Sequence, residues 1–99
     1  KDRATAAGVV ETYIHNNGQI GAMVKLCCET DFVANTQEFK KLAYELAMQI
    51  AAMDPKNIKS LLEQDHIRQP GTKIADLVKQ TIGKVGENIK IAALTRLEI

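Results

Sequence analysis

The sequence predicts an α+β fold, a three-stranded antiparallel sheet with two main amphipathic helices packed on one face. Three observations carry this. Two β-rich segments flank an Asn-Asn-Gly turn within residues 9–28. Two apolar stripes at helical spacing come next, and the chain closes on a segment of alternating polarity. With 99 residues, of which 45% are hydrophobic and 25% charged, the chain is expected to form a single domain over residues 1–99.

The first strand runs Val9-Val10-Glu11-Thr12-Tyr13-Ile14-His15, and Ile20 through Cys28 forms the second. Folding them about Asn16-Asn17-Gly18 sets Ile14 near Ile20, Thr12 near Ala22 and Val10 near Val24. The even-numbered face (Val10, Thr12, Ile14, Ile20, Ala22, Val24, Leu26, Cys28) is then expected to meet the core. The odd-numbered face, with Glu11, Tyr13, His15, Met23, Lys25, Cys27 and Glu29, is mixed. Phe39, Leu42, Ala43, Leu46, Ile50 and Met53 fall on one helical stripe. Asn35 with Glu38 resembles a capping pair that starts this helix, and Asp54-Pro55 stops it. A short helical turn is expected around Ile58–Leu62, then a connector ending at Pro70-Gly71. Ile74, Leu77, Val78, Ile82 and Val85 mark the second main helix, with Thr72 as its cap and Gly86 just past its end. In the last segment Ile89, Ile91, Ala93, Thr95, Leu97 and Ile99 share one strand face.

Composition narrows the function. Thirteen basic against twelve acidic residues give a net charge of +1, without the basic bias of a nucleic-acid binder. Lys40, Lys41, Lys56, Lys59, Lys79 and Lys84 are interspersed with acids and read as solvated helix surface. No apolar run approaches the roughly 20 residues of a membrane helix. The chain opens on Lys1 rather than Met, as a processed chain or a fragment would, and shows no signal-peptide apolar stretch. Cys27 and Cys28 point to opposite strand faces, so neither a redox pair nor a metal site with His15 is expected. His15 and His66 read as ordinary histidines, and Gly83-Lys84-Val85-Gly86 lacks the spacing of a phosphate loop. No catalytic group, metal or cofactor is expected.

The connector Glu29-Thr30-Asp31-Phe32-Val33-Ala34 is less easily absorbed into packing. Thr30 can cap a single helical turn, with Asp31 favourable at its start. Phe32, one of two phenylalanines, either packs beneath the following helix or stands exposed as an anchor for a partner.

Cys28-Glu29-Thr30-Asp31-Phe32-Val33-Ala34-Asn35 resembles the signature of the bacterial and organellar elongation factor Ts family, and Gly86-Glu87-Asn88-Ile89 resembles its second signature. The segment Leu46-Ala47-Met48-Gln49-Ile50-Ala51-Ala52-Met53-Asp54-Pro55 is similar to the family's long helix, and the likeness runs from about Arg3 to Glu98. The resemblance implies guanine-nucleotide exchange on the translational GTPase elongation factor Tu, without covalent chemistry. It implies partner-binding residues Asp31 and Phe32, the phenylalanine wedging beside the magnesium and phosphate site, with Thr30 and Val33 setting the turn that presents it. Given the family, an exposed Phe32 is the favoured reading. The resemblance also implies a departure: the family's N-terminal helical module is expected to be absent before Lys1 and the middle, Lys56–Leu62, to be abbreviated. Ala92-Ala93 stand where paired arginines are common. Short members pair through their sheets, so the alternative is a structural homodimerisation domain with no exchange activity in isolation. Few cysteines and a role in translation point to the cytoplasm, with a mitochondrial or plastid matrix as the alternative.

Overall fold

A computed structural model describes residues 4–99. In chain order the elements are β1 (Ala7–His15), β2 (Ile20–Cys28), α1 (Asp31–Ala34), α2 (Gln37–Met53), α3 (Ile58–Glu63), β3 (Asp65–His66), β4 (Gln69–Lys73), α4 (Ile74–Val85) and β5 (Lys90–Glu98). The main sheet has the order β1-β2-β5, antiparallel throughout, and β3 and β4 form a separate two-stranded ribbon. This is the α+β architecture expected from the sequence. The long helix α2 lies against the sheet, and α4 packs beside α2. No helix among the described residues is long and apolar enough to cross a membrane.

The core lies between β2 and α2. Val24, Leu26 and Cys28 from the strand and Phe39, Leu46 and Ile50 from the helix are fully buried, joined by Leu61 and Ile74. The apolar stripe of α2 is therefore the buried one, except that Met53, at its end, is 50% exposed. The helix begins one residue later than the sequence pattern indicates. Thr36, not Asn35, is the N-cap, and its hydroxyl accepts the Phe39 N–H at 3.2 Å. Asn35 is occupied in closing the preceding turn, its side-chain amide donating to the Asp31 carbonyl at 3.0 Å. Asp54 ends α2 in the left-handed region, φ 48°, before Pro55.

The even-numbered face of β2, from Ala22 to Cys28, meets the core as expected, but the hairpin register reverses the expected face of β1. His15 pairs with Ile20, Ile14 with Gly21 and Val10 with Lys25, across a four-residue connection with positive φ at Asn16 and Gly18. This is one residue out of step with the register read from the turn, and a strand's side chains alternate with period two. Val9 and Tyr13 accordingly turn toward the core, while Val10 and Ile14 are 64% and 62% exposed. Tyr13 meets Tyr44 of α2 edge to face, with ring centroids 5.8 Å apart. At Gly8 (φ 153°) a Cβ would collide with the backbone carbonyl of Leu26, so the tight approach of β1 to β2 there excludes any side chain.

A second shift occurs in β5. Leu26 pairs with Ile91 but Lys25 pairs with Ala93, leaving Ala92 as an extra residue in the ladder. The bulge resets the alternation, so Ile89 through Ile99 do not share one face. Ile91 is buried, whereas Ala93, Thr95 and Leu97 are exposed and Leu94 and Arg96 turn toward the helices. Arg96 then reaches the C-terminal end of α2, where its Nε donates to the Ala51 carbonyl at 2.9 Å. Its Nη1 lies 2.8 Å from Glu98 and 3.7 Å from Asp54. A cation at this end satisfies a carbonyl that lacks an intrahelical donor and complements the helix dipole.

The connector before α4 is also more ordered than the sequence pattern indicates. Asp65 pairs with Lys73 and His66 with Gln69 around the turn that precedes Pro70. The ribbon removes the need for Thr72 as a cap: Lys73 is the N-cap, and the Ile74 N–H donates to the Gln64 carbonyl at 2.9 Å. Gln49, fully buried on α2, anchors this region. Its Nε2 donates to the Gln64 Oε1 and to the Asp65 carbonyl, and its Oε1 accepts the Ile67 N–H, each at 3.0 Å. Glu45, also buried, lies 2.9 Å from His66 Nε2. Replacing Gln49 by Met preserves volume but takes the side-chain partner from the Asp65 carbonyl and the Ile67 N–H. The expected loss in urea denaturation is about 2–3 kcal/mol, against less than about 0.5 kcal/mol for Met53→Gln at the half-exposed helix end. Equal effects at the two positions would overturn this role for Gln49.

Candidate partner-binding turn

The single turn α1 sits where β2 hands over to α2. Thr30 is its N-cap, extended at φ −132° and ψ 155°, and its hydroxyl accepts the Val33 N–H at 3.2 Å. The Ala34 N–H donates to the Thr30 carbonyl and the Asn35 N–H to the Asp31 carbonyl, both at 3.1 Å. Thr36 then closes the exit, its hydroxyl donating to the Val33 carbonyl at 2.7 Å while capping α2. One threonine starts the turn and another ends it and begins the next helix, so the direction of α1 is tied to both neighbours.

The turn has an inner and an outer side. Val33 and Ala34 are each 4% exposed and root it in the core. Asp31 and Thr30 are exposed, and Phe32 is 82% exposed, the most solvent-accessible aromatic ring among the described residues. Of the four residues singled out in the sequence, Thr30, Asp31 and Phe32 thus stand at the surface, and Val33 lies beneath them as an anchor. Of the two placements open to Phe32, packing beneath the helix is not the one adopted. A large apolar ring is thus held out in water beside an exposed carboxylate, on a turn rooted in the core.

Two residues in this site are not apparent from local sequence. Glu87, just beyond α4, accepts the backbone N–H groups of Glu29 and Thr30 on Oε1, both at 3.1 Å, and the Thr30 hydroxyl on Oε2 at 2.8 Å. Glu29 answers from the other side, its Oε2 accepting the Asn88 N–H at 2.7 Å. These bonds join positions 57 to 59 residues apart, a separation at which periodicity and capping patterns carry no signal. Beneath the turn, Cys28 is buried and donates to the Thr30 carbonyl at 3.3 Å. Burial raises the Cys28 thiol above its ordinary value, and the nearby Glu87, Cys27 and Asp31 add to that direction, so the sulfur stays protonated and serves as packing.

The opposite side of the sheet forms a second exposed feature. Four cross-strand rows compose it: Gly8, Cys27 and Lys90; Val10, Lys25 and Ala93; Thr12, Met23 and Thr95; and Ile14, Gly21 and Leu97. Met23 is 45% and Leu97 76% exposed. This face carries two charges, Lys25 and Lys90, in twelve positions and is more apolar than the mixed face expected, because the hairpin register brings Val10, Thr12 and Ile14 outward in place of Glu11 and Tyr13.

The family model described as elongation factor TS matches residues 29–99, which contain both the turn and Glu87. The elongation factor Ts of Thermotoga neapolitana is 34% identical over 140 residues, covering 98% of this chain and 71% of the relative. That of Thermoanaerobacter pseudethanolicus is 36% identical over 141 residues, covering 97% and 69%. The elongation factor Ts of Nostoc punctiforme is 44% identical over 90 residues, covering 91% of this chain but 28% of the relative. The first two alignments exceed the 99 residues of this chain, so those relatives carry residues without a counterpart in it, whereas the Nostoc match of 90 residues does not exceed it. With a matching family model over most of its length and such relatives across nearly all of it, the chain belongs to the elongation factor Ts family of protein-biosynthesis factors.

Proposed function

We propose that the chain acts in guanine-nucleotide exchange by binding elongation factor Tu through the α1 turn, with Phe32 as the group that enters the GTPase. The observation that carries this is the 82% exposure of Phe32 on a turn whose other residues are bonded or buried. Burying such a ring contributes roughly 1.5–3 kcal/mol, and little ordering entropy opposes it because the backbone is already set. Inserted beside the magnesium and phosphate site, the ring favours an arrangement of the GTPase that holds GDP weakly. Exchange then follows from linkage: if this factor lowers GDP affinity by some ratio, GDP lowers the factor's affinity by the same ratio. No bond is made or broken, and neither metal nor cofactor is needed on this chain. Asp31, at the start of the turn, supplies a charge that orients the contact, while Thr30 and Val33 hold the turn. Such a factor works where elongation factor Tu does, in a bacterial cytoplasm or an organelle matrix.

A second reading has its own observation, the apolar outer face of the sheet. A sheet open on one side with Val10, Ile14, Met23 and Leu97 exposed fits pairing with a second copy of the chain. The two readings are compatible, because Phe32 projects from α1 and not from this face, but pairing alone would make the chain a structural domain.

Fluorescent GDP release from elongation factor Tu separates the parts. The chain is expected to accelerate release, and Phe32→Ala to raise the concentration for half-maximal release by about 30-fold or more, as loss of a hot-spot residue does. No acceleration by the parent chain would remove the exchange reading, and an unchanged Phe32→Ala curve would remove the wedge. Sedimentation at several concentrations is expected to show a dimer that Leu97→Lys converts to monomer by burying an unpaired charge. A parent chain monomeric throughout would remove the pairing.

A further inference from the structure

We infer that Glu87 is a positioning residue for Phe32: by bonding Thr30 it holds α1 in the one orientation that presents the ring, so the end of α4 sets how well the turn engages its partner. This inference rests on the reading of α1 as the partner-binding turn. Four residues make one helical turn, far below the roughly 12–15 at which an isolated helix becomes even marginally stable. Its anchors, Val33 and Ala34, are small, and the side chain it presents contributes almost no packing at 82% exposure. Something else must fix its direction. β2 ends at Cys28, and just beyond it the Glu87 carboxylate takes the N–H groups of both Glu29 and Thr30.

The Thr30 hydroxyl joins these contacts into a chain. It accepts from the Val33 N–H at 3.2 Å and donates to Glu87 at 2.8 Å, so the bond that caps α1 is continued directly into a carboxylate. Bonds with one ionised partner are shorter and stronger than neutral ones, and successive bonds polarise each other. Glu87 is itself placed by the core. Ile74 and Val78 bury α4, Gly86 ends it in the left-handed region at φ 76°, and the chain turns so that Glu87 faces the start of α1. Glu29 reciprocates onto the Asn88 N–H, so neither segment can rotate alone. Half-buried under the turn, Glu87 acts through Thr30 and not by touching the partner.

Amide hydrogen exchange on the chain alone tests the clamp. Glu87→Ala is expected to speed exchange of the Val33 and Ala34 amides about tenfold while leaving those of Leu46 and Ile50 in α2 unchanged. Glu87→Gln keeps an acceptor for the two backbone donors but sets an amide NH2 against the Thr30 hydroxyl and removes the charge, so it is expected to speed exchange by an intermediate factor of about three; it also serves if the alanine variant does not fold. Unchanged protection at Val33 and Ala34 in both variants would overturn the proposal. In GDP release, Glu87→Ala is expected to raise the half-maximal concentration about tenfold in the parent chain and less than about twofold in a Phe32→Ala background, since the two residues act in series. The same shift in both backgrounds would show a structural role only and overturn positioning. A parent chain without exchange activity would remove the proposed function, and hydrogen exchange would still decide whether Glu87 holds the turn.

Discussion

The alternation of side chains along a strand, with its fixed period of two, is the constraint on which the exposed surfaces of this protein depend. Only β2 lies at the centre of the sheet, and its Val24, Leu26 and Cys28 are committed to α2. What its neighbours show to solvent is then decided by where they enter and leave register with it. A four-residue turn sets β1 so that Val9 and Tyr13 meet the helix, and one extra residue at Ala92 swaps the faces of β5 along its length. Both shifts push apolar side chains outward, and the result is a sheet covered on one side and nearly uncharged on the other. The bulge has a further consequence at the covered side, because it turns Arg96 onto the last carbonyls of α2.

The α1 turn is built by a different kind of interaction. Its hydrogen bonds are short and mostly local, but the two that orient it come from the far end of the chain through Glu87. A carboxylate suits this task because it accepts several donors at once and because the N-terminus of even one helical turn tolerates negative charge. The same region keeps its thiol inert, since burial and neighbouring carboxylates both favour the neutral form of Cys28. Site and fold therefore share their supports: α2 buries the foot of the turn, and α4, through its terminal glycine, delivers the residue that braces it.

Much of this is legible in the residues. The stripe from Phe39 to Ile50, the stop at Asp54-Pro55, the turn around Ile58–Leu62, the capping of α1 by Thr30 and the exit of α4 at Gly86 all follow from interactions within about one helical turn, where sequence patterns are informative. The N-cap of α2 is displaced from Asn35 to the adjacent Thr36 because Asn35 is engaged in closing α1, and that of α4 from Thr72 to Lys73, where the Gln64 carbonyl takes the Ile74 N–H. The ribbon of β3 and β4 leaves too short a pattern to read around Pro70 and Gly71.

The sequence by itself determined the kinds of element, their order, and a capped turn bearing an aromatic ring between the second strand and the long helix. It made the buried face of β2 legible too, but not which faces of β1 and β5 meet the helices. That depends on a register differing by one residue, and both alternatives place apolar groups on either side. Nor could it join Glu87 to Thr30, because a hydrogen bond across 57 residues exists only after the sheet and two helices have been packed. On the residues alone Phe32 could lie either way, and it is the packed structure, rooting the turn through Val33 and Ala34, that holds its ring in water.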